Sequence, residues 1–296
     1  MAKREVAYTQ VPVINKTEGL FGRDPNDSRI VLKELSPEIK ELLQKEPHVF
    51  TVKMDGTCAI IVVMGKNIWV MRRQDIKVGA RNYDMVMKSG QNEVIAGVNC
   101  FVTKMNRGSD KVPKIVPLYI FQLDESGKPE PEFGHIIGFT PLLHDFGDDK
   151  YAITTIKGVN GNADMQVYTT LFDGSLDVNV HWVPITELMG SKLLMTVEIM
   201  GSKISNKYGF TSDQHIISPH GSIVFPSDQT PPVEYDALKK WFECDGVSEL
   251  NRWANVEGFV IHFPKSNRRI KVHRGHVGLE HTWRSKKESG IKFVLH

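Results

Sequence analysis

Short apolar runs with the alternation typical of β-strands dominate the chain. Residues 59–64 and 68–72 form two such runs on either side of a polar Gly-Lys-Asn turn, which predicts a β-hairpin. The same pattern predicts further strands at residues 115–123, 192–199, 222–225, 259–263 and 269–273.

Helical periodicity is confined to a few short segments. Residues 37–43 follow Ser36, which is suited to cap a helix, and residues 184–189 precede a glycine. Residues 232–242 carry apolar side chains at helical spacing with charges between them. Strands therefore outnumber helices, and we expect an α+β fold built on antiparallel sheets.

Three stretches lack a regular pattern and are predicted to be loops. Residues 78–98 and 101–114 are polar, and the second carries several lysines and an arginine. Residues 134–139 are apolar but flanked by glycine, and we expect a loop between strands there.

Composition narrows the class of protein. The chain has 296 residues, of which 41% are hydrophobic, so it can bury a large core and is not disordered. The net charge of +2 does not by itself indicate a nucleic-acid binder, so any polyanion site must come from local clusters of cations. The chain contains neither an apolar run of about 20 residues nor an N-terminal signal pattern, and we expect no membrane association.

Cysteines and histidines are scattered along the chain. The three cysteines form no CxxC pair, and the histidines form no HxH or HxxxH pair. We therefore expect a reducing intracellular compartment, either cytoplasm or nucleus, and no zinc site. Cys58 is interpreted as a small packing residue because no basic partner can be assigned to it.

The tetrapeptide Lys53-Met54-Asp55-Gly56 lies directly before an apolar run. A lysine at such a position can attack the α-phosphate of a nucleotide and form a covalent intermediate. The alternative is an ordinary surface turn, because Asp-Gly is a common turn dipeptide.

Four other charged residues lie at or within predicted strands, where charge is costly unless it is paired or used. They are Arg73, Glu198, Glu257 and Lys271. Each alone is explained by a salt bridge or an edge-strand charge. Together with Lys53, the four residues indicate a functional site.

The residues can be given complementary tasks around one nucleotide. Lys271 would lower the pKa of Lys53, because a neighbouring cation disfavours a second ammonium, and would bind the α-phosphate. Glu257 would hold a divalent cation. Glu198 and Arg73 would bind the ribose hydroxyls and the phosphate.

The ordered series resembles the covalent nucleotidyltransferase superfamily of polynucleotide ligases and capping enzymes. Lys53 to Gly56 is similar to its motif I, and Arg73 to its ribose- and RNA-contacting arginine. Residues 197–201 and 206–209 resemble motif III, with Lys207 at a usual proline. Residues 256–260 resemble motif IV and residues 270–272 motif V, with His273 at the usual second lysine.

Closer matches favour one branch, the small ATP-dependent 5′-3′ RNA ligases of animals and viruses. The segments that match this branch are residues 53–58, 134–138, 219–221 and 270–279. The resemblance implies a reaction in three steps with Mg²⁺ or Mn²⁺. Lys53 takes AMP from ATP, AMP passes to the RNA 5′-phosphate, and the RNA 3′-hydroxyl displaces AMP.

The resemblance also implies the fold and the organisation of the chain. We expect an antiparallel-sheet adenylyltransferase domain, ATP-grasp-like, over residues 1–296. Residues 1–50 would be an N-terminal extension and residues 78–157 a family-specific insertion. Too few residues follow His273 for a C-terminal OB domain.

Site roles follow from the motifs and their neighbours. The ATP-binding residues are expected to be Lys53, Arg73, Glu198, Phe225, Glu257, Lys271 and His273. Phe225 would be the adenine platform or, equally, a core residue. The RNA-binding residues are expected to be Arg73, Arg269 and Arg274. Arg269 and Arg274 belong to a C-terminal basic patch, which would either follow an RNA backbone or be an ordinary solvated surface. The patch consists of Lys265, Arg268, Arg269, His273, Arg274, His276, Arg284, Lys286, Lys287 and Lys292.

Other functions remain open from the sequence. DNA ligases and RNA guanylyltransferases share the motifs, although both need an OB domain. A catalytically weak sensor of RNA ends is the alternative from another class. His273 favours it and the intact Lys53 argues against it.

Overall fold

Three β-sheets and four α-helices make up the described part of the chain. The structure is a computed structural model that describes residues 17–27, 30–108, 114–132, 134–144, 146–147, 149–210, 213–244, 252–279, 283, 285 and 288–296. The α-helices are α1 (Pro37–Lys45), α2 (Tyr83–Ser89), α3 (Ile185–Met189) and α4 (Tyr235–Glu243).

The strands follow one another with few helices between them. They are β1 (Glu18–Gly19), β2 (Phe21–Arg23), β3 (Val31–Leu35), β4 (Val49–Lys53), β5 (Thr57–Met64), β6 (Asn67–Lys77), β7 (Gln91–Ile95), β8 (Val98–Asn106), β9 (Ile115–Ile120), β10 (His135–Pro141), β11 (Ile156–Lys157), β12 (Gln166–Leu171), β13 (Asp177–Pro184), β14 (Leu194–Gly201), β15 (His215–Pro219), β16 (Gly258–Phe263), β17 (Arg268–His273) and β18 (Lys292–Leu295).

A small sheet has the order β1-β17-β16-β4. Its pairs are antiparallel except for β1 with β17. One face is apolar, because alternate residues such as Phe50, Phe259 and Ile270 point into the core that α4 covers. The opposite face carries the polar residues of the same strands.

The large sheet has the order β18-β13-β12-β15-β14-β5-β6-β10-β9-β8-β7, with β11 paired to β12, and β2 and β3 pair separately. Most pairs are antiparallel. Every residue of β14 is buried, as expected for a strand that is covered on both faces. The fold is therefore rich in antiparallel sheet, as the sequence predicts.

Several local predictions are confirmed. β5 and β6 form the hairpin around Gly65, whose φ of 63° suits the turn. The Ser36 hydroxyl accepts a hydrogen bond from the Ile39 N–H and caps α1. In α4, Leu238 and Phe242 are buried as predicted.

The loop predictions for the middle of the chain are wrong. Residues 78–98 contain α2 and β7, and residues 101–106 belong to β8. Residues 135–141 form β10, which lies between β6 and β9. A Cβ at Gly138 would lie 2.6 Å from Leu118 Cδ1, so this glycine serves close strand packing and does not mark a loop.

Two further predictions need correction. Residues 222–225 form no strand, and a single bridge joins Val224 to Thr51. The antiparallel pair β12 and β13 was not predicted. No described helix has the length and apolarity needed to cross a membrane.

Candidate active site

Lys53 ends β4 on the polar face of the small sheet. Strand register places Lys53 opposite Gly258 of β16, and Gly258 opposite His273 of β17. Two residues further along each strand, Thr51, Val260 and Lys271 form the next row on the same face. Antiparallel pairing thus brings motifs that are far apart in sequence onto one face.

Gly258 is required by this pairing. A Cβ at this position would lie 2.0 Å from the Val272 carbonyl oxygen, closer than any side chain can approach backbone. The absence of a side chain lets β16 lie between Lys53 and β17. The glycine of the Glu-Gly pair therefore has a packing role, and the Glu257 carboxylate before it reaches the lysine.

The Lys53 ammonium and the Glu257 carboxylate are in contact. Lys53 Nζ lies 2.5 Å from Glu257 Oε2, and both side chains are largely shielded from solvent, 29% and 20% exposed. Burial alone would lower the pKa of Lys53, but Glu257, Glu198 and Asp55 outweigh it and raise that pKa above its ordinary value. Lys53 is therefore held as an ammonium.

This charge balance corrects the expected role of Lys271. The sequence argument has Lys271 lowering the pKa of Lys53, whereas the carboxylates around Lys53 dominate and raise it. Burial also raises the pKa of Glu257 to about 7, with Asp55 and Glu198 adding to the effect and Lys53 opposing it. The site is crowded with carboxylates.

Asp55 is anchored by three side chains from other parts of the chain. Its backbone N–H donates to the Tyr208 hydroxyl at 2.7 Å. Its Oδ2 accepts from the Ser205 hydroxyl at 3.2 Å and from the Trp283 indole N–H at 3.1 Å. The carboxylate is thus fixed beside Lys53.

Gly56 joins the lysine to the large sheet. A Cβ there would lie 2.4 Å from the Ile199 carbonyl oxygen and 3.0 Å from Glu198 Cγ. The chain after Lys53 therefore runs directly against β14, and the glycine brings Glu198 towards the lysine.

Glu198 begins a second cluster of polar side chains. Its Oε2 lies 2.8 Å from His220 Nε2. Cys58 lies opposite Glu198 in the pairing of β5 with β14. Arg73 of β6 is next to Cys58 and binds Asp75 through two hydrogen bonds of 2.6 and 3.0 Å.

Residues around Lys53 line a cleft, and the Glu198 cluster lies next to it. A cavity of about 410 Å³ is lined by Lys53, Asp55, Glu257, Lys271, His273, Arg274, Gly275 and Trp283. Glu198 is close enough to influence the charge of Lys53 and Glu257. The structure thus brings together Lys53, Glu198, Glu257, Lys271 and His273, with Arg73 beyond Cys58.

Carboxylates lie around Lys53, although Asp55, Glu198 and Glu257 do not bring one oxygen each within 4.8 Å of one another. Asp55, Glu198 and Glu257 supply carboxylates, the ligands that Mg²⁺ and Mn²⁺ prefer. Because Asp55 and Glu198 both raise the pKa of Glu257, the three groups repel one another, and a cation would relieve that repulsion. The metal role of Glu257 stays a prediction.

His273 does not replace a cationic lysine. Burial lowers its pKa to about 4, with Lys53, Lys271 and Arg23 adding to the effect. Its Nδ1 accepts the Gly275 N–H at 3.1 Å. The side chain is thus a neutral wall of the cleft. Arg23, the last residue of β2, brings a positive charge near it that no sequence motif indicates.

Arg274, which the sequence assigns to RNA binding, has a structural role in the fold. Its side chain is buried, with a relative exposure of 2%. The guanidinium donates to the backbone carbonyls of Val256, Phe242 and Ala254 at 2.9, 2.9 and 2.7 Å. It holds the segment before β16 to the end of α4.

Phe225 belongs to the core and not to the cleft. Its ring is buried and lies 4.9 Å from the Trp253 ring and 6.3 Å from the Phe259 ring, between centroids. Phe259 points to the apolar face of the small sheet, opposite the face of Lys53. The structure therefore favours the core interpretation over the adenine platform.

Arg269 lies on the polar face of the small sheet. It is half-buried, and burial lowers its pKa. It is paired in register with His262, whose Nε2 shares a 2.8 Å hydrogen bond with the Thr51 hydroxyl. Burial, Arg269 and His220 lower the pKa of His262 to about 4.

The basic patch is smaller than expected. His276 is buried, and burial with nearby cations lowers its pKa to about 3, so it is neutral. Arg268 is paired with Glu18 and Glu38. Lys265 and Lys292 are exposed. Arg284, Lys286 and Lys287 lie outside the described residues.

Sequence reasoning did not predict several contacts that build the site. Tyr208 belongs to the segment that resembles motif III, but its contact with Asp55 and those of Trp283 and Ser205 were not predicted. Thr51 and His262 continue the polar face of the small sheet beyond Lys271. The position of Thr51 could have been inferred, because a residue two positions before Lys53 in a strand points to the same face. The contact of Trp283 joins residues 228 positions apart and leaves no local pattern.

Comparison with known proteins identifies the family of the chain. No curated protein matches the chain at significant similarity. A model of the RNA ligase 1 family matches residues 18–290, a range that includes every element from β1 to β17. The chain therefore belongs to the RNA ligase 1 family.

Proposed function

We propose that the protein is an ATP-dependent RNA ligase that joins RNA 5′-phosphate and 3′-hydroxyl ends through lysyl-AMP and adenylylated RNA. Membership of the RNA ligase 1 family supports RNA ligation as the activity. The observation that carries the mechanism is the position of Lys53, in contact with Glu257 in a cleft that it shares with Lys271. The small sheet that lines this cleft and the large sheet would together form the adenylyltransferase fold.

The first step forms a bond between Lys53 and AMP. Lys53 Nζ loses a proton and attacks the α-phosphorus of ATP. A nitrogen–phosphorus bond forms as the bond to pyrophosphate breaks. Lys271, on the same face as Lys53, is positioned to bind the α-phosphate.

Deprotonation of Lys53 requires that its carboxylate neighbours be neutralised. A divalent cation held by Glu257, with Asp55 beside it, would supply positive charge to these carboxylates and to the pyrophosphate. With such a cation bound, Glu257 would stabilise the ammonium of Lys53 less, and the pKa of Lys53 would be lower. The chain itself contributes the fixed position of Asp55, through Tyr208, Ser205 and Trp283.

The second and third steps use the same cleft. AMP passes from Lys53 to the RNA 5′-phosphate, and the RNA 3′-hydroxyl then displaces AMP to form the phosphodiester. Arg73 and Arg269 are the cations proposed to contact RNA. Arg73 is oriented by its two hydrogen bonds to Asp75. The three unpaired cysteines support an intracellular site of action.

Covalent labelling tests the first step. The purified protein is incubated with α-³²P-ATP or α-³²P-GTP and Mg²⁺ or Mn²⁺, then denatured. We expect label from ATP that survives alkali and is released by acid, as a phosphoramidate requires. Lys53→Ala should abolish it, and Lys66→Ala in the exposed β5–β6 turn should retain it. Label that persists in Lys53→Ala would overturn the mechanism.

RNA substrates separate the remaining alternatives. A 5′-phosphate RNA with a 3′-hydroxyl should be sealed, and the same RNA with a blocked 3′ end should accumulate the adenylylated form. Label from GTP alone would indicate guanylyl transfer, and sealing of DNA alone a DNA ligase. Labelling without sealing of any end would indicate an end sensor.

A further inference from the structure

Cys58, Glu198 and His220 form a compact group of metal-ligating side chains beside the Lys53 cleft. One donor atom from each, a sulfur, a carboxylate oxygen and an imidazole nitrogen, lies within 4.8 Å of the others. Glu198 is buried, and the other two are partly buried. The carboxylates assigned above to Mg²⁺ do not explain why a thiol and an imidazole converge here.

Strand pairing produces this convergence. Cys58 and Glu198 are direct partners in neighbouring strands β5 and β14. His220 follows β15 on the other side of β14, where its backbone N–H donates to the Thr196 carbonyl at 3.0 Å. The three residues are far apart in sequence, so no ligand spacing along the chain reveals them.

We propose that Cys58, Glu198 and His220 bind a thiophilic divalent cation of the Zn²⁺ type, and that this cation blocks nucleotide transfer by occupying Glu198. Sulfur, imidazole nitrogen and carboxylate are the three donor types of protein zinc sites. Mg²⁺ prefers oxygen ligands and would not use the sulfur. The site is therefore selective for a different metal than the reaction needs.

The geometry is close to what such an ion demands. Donors around tetrahedral Zn²⁺ lie roughly 3.5 Å apart, from bond lengths near 2.0–2.3 Å. The three donor atoms here lie within 4.8 Å of one another, near that spacing. Three protein ligands leave a fourth position for water or a phosphate oxygen, as in open zinc sites.

Charge balance also suits a divalent cation. The Cys58 thiol gives its proton to solvent as the sulfur–metal bond forms, and the thiolate and the Glu198 carboxylate together balance a charge of 2+. The positive charge of Arg73, which faces Cys58, would repel the bound cation. Its guanidinium is bound to Asp75 by two hydrogen bonds, and this limits its repulsion of the ion.

Binding can be tested without any activity. Protein stripped of metal by a chelator is titrated with Co²⁺, which gives thiolate-to-cobalt charge-transfer absorption when sulfur is a ligand. We expect one such site per chain, displaced by Zn²⁺. Cys58→Ser should lose the absorption, His220→Gln should weaken binding at least about tenfold, and Cys244→Ser, at an exposed cysteine, should keep both. Absorption that is absent, or unchanged in Cys58→Ser, would overturn the proposal.

The inhibitory effect rests on the proposed nucleotide transfer and is tested separately. Wild-type protein and Cys58→Ser, each loaded with one equivalent of Zn²⁺, are labelled with α-³²P-ATP in excess Mg²⁺ and compared with their own zinc-free rates. Zn²⁺ should lower labelling of the wild type and leave that of Cys58→Ser near its zinc-free value. Equal inhibition of both would contradict the blocking role. No labelling without zinc would instead contradict the ligase mechanism and leave the cobalt result standing.

Discussion

Lys53 Nζ and Glu257 Oε2 lie 2.5 Å apart although 204 residues separate them in the chain. The contact follows from strand register, because Lys53 is paired with Gly258, the residue next to Glu257. The position of the proposed nucleophile is therefore set by the pairing of β4 with β16.

Glu257→Gln should impair the first step of the reaction. The substitution keeps the size of the side chain but removes the charge proposed to hold a divalent cation. We expect the rate of lysyl-AMP formation to fall at least about tenfold, with a higher requirement for Mg²⁺. The measurement is single-turnover labelling from α-³²P-ATP over a series of Mg²⁺ concentrations.

Glu38→Gln is the matched control for Glu257→Gln. Glu38 is paired with Arg268 but is 71% exposed and does not line the cleft. It should label at the wild-type rate. A wild-type rate for Glu257→Gln at every Mg²⁺ concentration would remove Glu257 from the metal site.

Trp283→Phe should slow labelling while keeping the aromatic ring. The indole N–H donates to Asp55 Oδ2, and the substitution removes only that donor. A hydrogen bond to a charged group contributes about 1.5–3 kcal/mol. We therefore expect the labelling rate at saturating ATP to fall about tenfold. Trp182→Phe, at an exposed position of β13, should be unaffected.

Asp55 retains its contacts with Tyr208 and Ser205 when the indole donor is lost. The apparent affinity for ATP should therefore change less than the maximal rate. An unchanged rate for Trp283→Phe would mean that those two contacts are sufficient to orient the carboxylate.

Arg274→Met should destabilise the fold. Three backbone carbonyls lose their donor, and each buried acceptor left without one costs about 1–3 kcal/mol. We expect the free energy of unfolding to drop by at least about 3 kcal/mol, measured by urea denaturation. Arg268→Met, which removes partly exposed ion pairs with Glu18 and Glu38, should cost less than about 1 kcal/mol. Similar losses for both variants would contradict the anchoring role of Arg274.

Mild acid should destabilise the protein. Burial is the main cause that lowers the pKa of His262 and His273 to about 4 and of His276 to about 3, below the ordinary value of 6.5. Below about pH 6.5 the unfolded chain takes up protons that the folded chain does not. The stability that these histidines contribute is present above pH 6.5 and falls as the pH decreases towards 4.

Urea denaturation between pH 7 and pH 5 measures this effect. Each histidine contributes at most about 1.4 kcal/mol per pH unit. His262→Gln should reduce the slope of unfolding free energy against pH, whereas His144→Gln, at an exposed position, should not. Equal slopes for His262→Gln and the wild type would show that His262 titrates normally.

Local sequence predicted the parts of the site that lie within single strands. Alternation of apolar and polar residues locates β16 and β17, whereas Lys53 stands out through its tetrapeptide before β5, because β4 was not predicted. Lys53, Glu257 and Lys271 could therefore be found without a structure. That they meet at one site depends on the register of β4, β16 and β17, which the local pattern does not give.

Residues whose role depends on distant partners could not be predicted in this way. Arg274 follows a basic strand and resembles a surface cation, but its acceptors come from α4 and from the segment before β16. His220 lies in a turn, and only the position of β14 beside it gives its imidazole a carboxylate partner. Long-range pairing decides both cases.

Strand register also determines where the chain can tolerate a change in length. Side chains alternate between the two faces of the small sheet, so deleting one residue within β4 would turn Lys53 into the core and Val52 towards the cleft. Added residues in the exposed turn at 264–267, between β16 and β17, would leave both faces unchanged. Length variation among functional forms of this protein should therefore be found in that turn and be absent from β4.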